Sequence, residues 1–558
     1  MLKNLLRLTL ICMICMSSFD LQAQISVGGS PMTFSHPEVF IGATIPTISL
    51  SAPSVGVLLA QDEDRDRNGY NHRDAVALVV NKGLEDGAWT NLPNGSRIWR
   101  MALKSSGAYS LEVNFHDLFI PEGGTLYIFN PSGTEIFGAY TSQNNKESGR
   151  MSLEMIQGEE LRIEYTEPNA ELGQGRIHIQ DVAYRYRNVM ADSQSCEVDV
   201  SCSESNGWED QVKSVVRIRT RINGQFFWST GTLMNNTAQD CRPFILTNMH
   251  SSIDEGTQST FSDFEFYRFY FNFERISCGE GPISQVHTIA GCMKKADSND
   301  NGGAMGSDFM LVEISSAIPI TYGVFFAGWN VSAATQAGGV SIHHPSAGPK
   351  KISVYQENVI SSSWGVSDSH WSVKWASTIN GHGVTEGGSS GAGLFDSAGL
   401  VIGTLTGGSA YCNEILPGGQ NQPDYFGKMS WHWNNNPNPT SEKLKEWLDP
   451  LNSGAIMFNG NSDACNVLGV QELNALEISL FPNPSDGLVF ISYASDISNL
   501  IIKVHDITGK LITAELYSVS IDDTNVILDF SNLQDGLYFI LTSDQEGLQL
   551  TKRLILRH

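Results

Sequence analysis

Residues 244–250 read Phe-Ile-Leu-Thr-Asn-Met-His, residues 307–314 read Ser-Asp-Phe-Met-Leu-Val-Glu-Ile, and residues 387–394 read Gly-Gly-Ser-Ser-Gly-Ala-Gly-Leu. The first is an apolar strand that ends at His250, the second sets Asp308 at the start of an apolar strand, and the third places Ser390 in a glycine-rich turn. A serine hydroxyl is a poor nucleophile until a base removes its proton, and an imidazole does this near neutral pH. A buried carboxylate fixes the imidazole tautomer and stabilises the imidazolium. Glycines around the serine let the backbone aim two N–H groups, those of Gly388 and Ser390, at a developing oxyanion. Singly, each segment is commonplace. Together and in the order His, Asp, Ser they make His250, Asp308 and Ser390 candidate catalytic residues.

Outward from these segments, composition agrees with an all-β chain. The 53 Gly and 20 Pro among 558 residues imply many turns, and 41% hydrophobic residues suffice for sizeable cores. The length suits about three or four domains. A net charge of −25 argues against nucleic acid and anionic membrane surfaces as partners. Lys3 and Arg7 precede the apolar run Leu8–Met16, and Leu21-Gln22-Ala23 is a cleavage site, so residues 1–24 read as a secretory signal. No later segment is apolar for the roughly 18 residues a spanning helix needs.

Residues 25–190 contain no cysteine. They alternate as short strands at 109–115, 125–129 and 161–165, with turns at Pro121-Glu122-Gly123-Gly124 and Asn130-Pro131-Ser132-Gly133, which suggests a β-sandwich. Asp64-x-Asp66-x-Asn68-Gly69 imitates a calcium loop, but its twelfth position is Ala75, so a solvated turn is expected. Seven cysteines lie in 196–465 without any C-x-x-C spacing, so disulfides rather than zinc are expected. His343-His344 reads as a structural turn, Asp297–Gly303 as a solvated loop, and 441–448 as a helix capped by Thr440 and stopped by Asp449-Pro450. No metal or cofactor is called for.

The last residues, 474–558, resemble the type A sorting domain of the Gram-negative type IX secretion system. The resemblance rests on Phe481-Pro482-Asn483-Pro484, Asp506-x-x-Gly509-Lys510, Leu533-x-x-Gly536-Leu537-Tyr538-Phe539 and Thr551-Lys552-Arg553, in that order. It implies a small β-sandwich recognised by the export machinery, joined through a linker at 466–473.

Residues 191–465 read as one domain, and from Cys196 to about Asn459 the chain resembles the lysyl endopeptidases, secreted bacterial proteases of the chymotrypsin-like class. The residues that carry this are Ser195-Cys196-Glu197-Val198-Asp199-Val200-x-Cys202, Leu233-Met234-Asn235-Asn236-Thr237-Ala238, Phe325-Phe326-Ala327-Gly328-Trp329, Ile342-His343-His344-Pro345, Gly383-Val384-Thr385-Glu386-x-Gly388-Ser389-Ser390-Gly391 and Trp447-Leu448-Asp449-Pro450. The resemblance implies an all-β, trypsin-like domain of two antiparallel β-barrels, with His250, Asp308 and Ser390 as triad and disulfides Cys196–Cys412 and Cys202–Cys278. It also implies a pocket with Asp424 at its base and Trp364, Gly407 and Gly408 around it, and a pro-domain at 25–190. The expected activity is hydrolysis of protein or peptide substrates after Lys, with Arg also accommodated, by a secreted or cell-surface monomer. Basic residues Arg185 and Arg187 offer a self-processing point before Cys196. The chain departs from the family pattern where Ser251 and Trp228 replace a disulfide, and where Thr406 stands in place of a pocket histidine. Alternatives are a glutamyl-specific enzyme and a catalytically inactive trypsin-like binding or adhesion protein.

Overall fold

In the N-terminal region, Arg97–Lys104, Thr125–Phe129, Ile136–Tyr140 and Glu160–Glu167 form one sheet with Thr47–Ser49 and Ala88–Asn91. A second sheet runs Arg73–Gly83, Arg176–Arg185, Ser110–Phe119, Met151–Gln157. The two bury a shared core that includes Trp99, Leu111, Val113, Phe115 and Ile163. This is the sandwich that the alternation at 109–115, 125–129 and 161–165 calls for. The computed structural model describes residues 26–557 except 27, 68–69, 188–193, 280, 285, 336, 413–418, 463–478, 482–484, 493–500, 507–509, 514–516, 522–524 and 544–548. The expected signal segment 1–24 and linker 466–473 lie outside the described residues.

The sandwich's second sheet does not end in solvent. Glu112 and Asn114, on the face opposite Leu111 and Val113, are buried. The reason is that Arg73–Gly83 pairs antiparallel with Gln225–Met234, in the register Gln225 to Val76 and Phe226 to Ala75, so one sheet runs from the sandwich into the next body. Met1–Ser462 accordingly packs as one compact unit and Asp463–His558 as another.

In the next body the strand order is His287–Ala290, Arg268–Phe271, Val215–Ile222, Gln225–Met234, Phe244–Thr247, Met310–Ile314, Cys292–Asp297. Its first and last members are one run of chain, 287–297, turned at Gly291, where φ is +88°. The sheet therefore closes on itself as a barrel of six described runs. A second sheet orders Lys351–Asn358, Ala337–His343, Gly393–Asp396, Val401–Gly408, Asp424–Lys428, Val366–Val373, Ile360–Trp364. Here too the first and last of these strands are one run, 351–364, and Ala376 N–H donates to Val354 O at 2.8 Å. The chain is thus all-β with two antiparallel barrels, and a core containing Met234, Leu246, Leu311, Trp329 and Phe395 lies where they meet. Disulfides Cys196–Cys412 and Cys202–Cys278 are formed. Cys241 is also disulfide-bonded, and Cys292 is a buried free thiol.

Three local expectations are corrected. The helix expected over 441–448 is a 3-10 turn, Thr440–Glu442, and a separate α-helix, Leu444–Leu448. They are broken at Lys443, whose extended backbone (φ −90°, ψ 144°) lets Leu444 and Leu448 reach the core. Asp64 lies in the α-helix Val55–Arg67 rather than in a turn. Asp297, Ser298 and Asp300 are buried, not solvated, because their side chains bind backbone groups around the strand start at Phe309.

The C-terminal unit pairs Ser479–Phe481, Leu488–Ser492, Asn525–Asp529 and Ser518–Ile521 in one sheet, and Ile501–Asp506, Gly536–Ser543 and Gln549–Leu556 in another. Val489, Ile491, Val504, Leu528 and Ile540 fill the space between.

Candidate active site

The strand Phe244–Thr247 delivers His250 to the seam between the barrels, in a short 3-10 turn. Asp308 stands two residues before Met310–Ile314 of the same barrel, and Ser390 stands before Gly393–Asp396 of the other. The three meet in series. Ser390 Oγ–H faces His250 Nε2 at 2.9 Å, and His250 Nδ1 lies 2.7 Å from Asp308 Oδ2. The other carboxylate oxygen, Oδ1, accepts the N–H groups of Met249 at 3.0 Å and His250 at 2.9 Å. Asp308 is fully buried, whereas the His250 side chain keeps 23% exposure. A buried carboxylate with three donors holds the imidazole ring in place, and the exposed Nε2 edge is open to a reacting group.

The turn at 387–391 is anchored by its carbonyls. Thr230 Oγ1 donates to Gly388 O at 2.8 Å, while Thr230 N and Ser229 Oγ donate to Ser390 O at 2.9 and 2.8 Å. With the carbonyls fixed on that side, the Gly388 and Ser390 N–H groups have no acceptor among the described residues. Gly388 has φ +92°, and a Cβ there would sit 2.9 Å from His344 O and Ala347 N.

Asp424 is 1% exposed. It accepts from Trp375 Nε1 at 2.7 Å, Thr385 Oγ1 at 2.8 Å and Ala410 N at 3.2 Å. Burial pushes its carboxyl up to about 6, against the pull of those hydrogen bonds. Only a glycine fits beside it, since a Cβ on Gly408 would come 1.9 Å from its Oδ1. Gly407 faces the Trp364 ring, and Thr406 Oγ1 lies 3.0 Å from His370 Nε2. Trp364 stands 6.3 Å from the His370 ring, whose burial holds its pKa down at about 4. His250, Trp364 and Thr406 thus line one cleft, while Asp424 and Gly408 lie side by side on neighbouring strands of the second barrel.

His343 and His344 are both fully buried and hydrogen-bonded. His343 lies between Ser389 Oγ and Ser353 Oγ at 2.8 and 3.0 Å, and burial pushes its pKa down to about 3. His344 Nδ1 donates to Gly348 O at 2.9 Å. The pair thus shapes the loop that carries Ser390.

One contributor was not legible in the sequence. A cleft of about 650 Å³ beside His250, Trp364 and Thr406 is also lined by Tyr70 and Asn71 of the N-terminal region. Asn71 Nδ2 donates to His250 O and Ile253 O, each at 2.9 Å. Arg65 is paired with Asp254, and with Glu255 at 3.0 Å. A Cβ on Gly387 would meet His72 at 3.6 Å. Residues 70–72 thus pass from the histidine side of the seam to the serine side.

Residues 190–427 match the family model described as the lysyl endopeptidase C-terminal domain, and residues 479–557 match the secretion system C-terminal sorting domain. A lysyl endopeptidase of Pseudomonas aeruginosa is 29% identical over 375 residues, covering 61% of this chain and 75% of that protein. A crystal structure of a mutant of Rv3671c from M. tuberculosis H37Rv, described as an inactive form, overlays with a TM-score of 0.25 and 13% identity, over 43% of this chain and 91% of that one. The chain therefore combines a lysyl endopeptidase-like region with a type IX sorting tail, which makes it an exported protein of Gram-negative type. Among the described residues no helix is long and apolar enough to cross a membrane.

Proposed function

We propose that this chain is a secreted serine endopeptidase that cuts after basic residues and is made as an inhibited precursor. The observation that carries the reading is the series Ser390–His250–Asp308, at 2.9 and 2.7 Å, beside two unclaimed amides. Ser390 Oγ attacks the scissile carbonyl carbon as its proton passes to His250 Nε2. Asp308 stabilises the resulting imidazolium through Nδ1–H. The carbonyl oxygen, now an oxyanion, receives the Gly388 and Ser390 N–H groups. Collapse of this intermediate breaks the C–N bond, and His250 gives its proton to the leaving amine. A water molecule then repeats the sequence on the acyl-enzyme, and Ser390 regains its proton.

Asp424 supports the basic preference. A Lys ammonium or Arg guanidinium beside a desolvated carboxylate gains a charge-assisted hydrogen bond that a neutral or acidic side chain lacks. Thr406 leaves more room near Trp364 than a histidine, so Lys and Arg are both accommodated.

The N-terminal sandwich supports the inhibited precursor. Residues 70–72 run along the catalytic seam, and the sandwich is fastened to the first barrel by buried ion pairs. Arg219 meets Asp74 at 3.0 Å and Glu112 at 3.1 Å, Arg221 meets Asp181 at 2.6 Å, and Arg268 meets Glu154 at 2.9 Å. Access for a polypeptide requires this region to leave. Arg187 Nη1 donates to Arg73 O at 3.1 Å, so a self-cut after Arg187 begins with release of that side chain. Incubating the purified, processed protein with a casein-type substrate and mapping the cut bonds tests the whole reading. Cuts after Lys and Arg support it, and cuts after acidic or aromatic residues overturn the specificity.

A further inference from the structure

Behind Asp308 lies a second carboxylate that the triad chemistry does not require. Asp300, in the loop joining Cys292–Asp297 to Met310–Ile314, is 1% exposed. Its Oδ2 accepts the N–H of Asp308 at 2.8 Å, and its Oδ1 accepts the N–H of Gly303 at 3.0 Å. Its own N–H points at Met249 Sδ, 3.5 Å away. Burying two acidic side chains in such proximity is costly, and such a group survives where its hydrogen bonds hold something in place.

What it holds is visible in the backbone. Asp308 has φ +56°, a left-handed conformation that a residue with a Cβ adopts at a cost. That conformation turns the Asp308 N–H toward Asp300 and its side chain toward His250. The Gly303 amide, fixed by the other oxygen, belongs to the residue whose Cβ, if present, would lie 3.2 Å from Asp308 Cβ, Thr406 Cγ2 and Trp364 Cδ1. One carboxylate thus clamps two N–H groups of its own loop, one on the residue that carries the catalytic carboxyl and one packed against Thr406 and Trp364. A carboxylate suits this task because both its oxygens accept, whereas an amide side chain offers a single oxygen. Gly306 makes room for it, as a Cβ there would sit 2.4 Å from Asp300 Oδ2.

We propose that Asp300 is a positioning residue for the proposed serine protease reaction: it locks the left-handed backbone at Asp308, and through Asp308 the orientation of His250. This rests on the protease reading given above. Asp300 touches neither substrate nor Ser390, so its effect lies in the rate of the chemical step and not in substrate affinity. The titratable groups around it are Asp308, then His250 beyond Asp308, with His370 on the far side of Asp308.

The test is steady-state kinetics on the processed enzyme with a lysyl ester or amide, for D300N, G306A and S390A, alongside thermal melts. D300N keeps the volume and one acceptor. G306A keeps the carboxylate but pushes it off its two amides. Each is expected to lower kcat by about 10- to 100-fold, the scale of a misplaced catalytic group, with KM within about twofold. Folded D300N and G306A with unchanged kcat would overturn the proposal, as would a loss confined to KM. An unchanged rate in S390A would instead overturn the protease reading itself, so the two failures are distinguishable.

Discussion

Asn71, from the N-terminal sandwich, donates its side-chain N–H to the carbonyl oxygen of His250 at 2.9 Å. The same amide group reaches Ile253 O, and the contact fastens residues 70–72 over the seam where a substrate would lie. The intact chain should therefore hydrolyse a peptide substrate more slowly than the processed chain. Replacing Asn71 by Ala should raise the rate of the intact chain and leave the processed enzyme unchanged. Equal rates for intact and processed wild type, measured with processing blocked, would contradict this.

The ion pairs under the sandwich make its stability depend on charge. Burial would raise the Asp74 carboxyl, but Arg219 and Arg185 hold it below its usual range. A depressed carboxyl contributes stability that is present above its ordinary pKa and is lost as pH falls through the lowered value. Acid should thus loosen the sandwich from the barrel. Arg219→Ala should destabilise the intact chain by about 3–5 kcal/mol, because Asp74 and Glu112 are left buried without it. In the processed enzyme, which lacks both carboxylates, the same substitution should cost much less. Comparable melting-temperature losses in the two forms would refute the assignment.

Asp424 predicts a pH effect on binding. Its carboxyl is raised to about 6, so it is ionised above that pH and increasingly neutral below it. KM for Lys and Arg substrates should rise as pH falls through about 6. Asp424→Asn should cost about 2–5 kcal/mol of transition-state binding for basic substrates, roughly 30-fold or more in kcat/KM. Retention of full selectivity in that variant would place the specificity elsewhere.

The tail packs as a unit of its own, Asp463–His558, with a separate core. Deleting 474–558 should leave hydrolysis by the processed enzyme intact while stopping passage across the outer membrane. Normal secretion of the truncated chain into the medium would count against the sorting role.

The Ser390–His250–Asp308 series was legible because it depends on local pattern, and the barrels and the tail were legible through the motifs that resemble known families. Apolar strands ending in His250 or starting after Asp308, and a glycine turn at Ser390, encode their own geometry. The rest is non-local. Asp300 sits in Asp-Ser-Asn-Asp-Asn-Gly-Gly, whose composition reads as solvated loop, and its burial comes from amides on Gly303 and Asp308 that no local pattern reveals. Glu112 and Asn114 look like the wet face of a strand, and only the pairing of Arg73–Gly83 with Gln225–Met234 covers them. Asn71 carries no signal of its own, since its partners lie 179 and 182 residues away. The break at Lys443 follows from where Leu444 must be buried, not from any helix-stopping residue.

Ser390 is proposed to act as a nucleophile activated by His250. The most direct measurement is kcat on a peptide substrate for processed Ser390→Ala, together with mass-spectrometric mapping of a fluorophosphonate on the wild type. The account predicts a fall in kcat of about 10⁵–10⁶ in a variant that folds normally, and a single adduct on Ser390 that is lost in His250→Ala. Near-normal proteolysis by Ser390→Ala, or an active wild type with no adduct at Ser390, would contradict it.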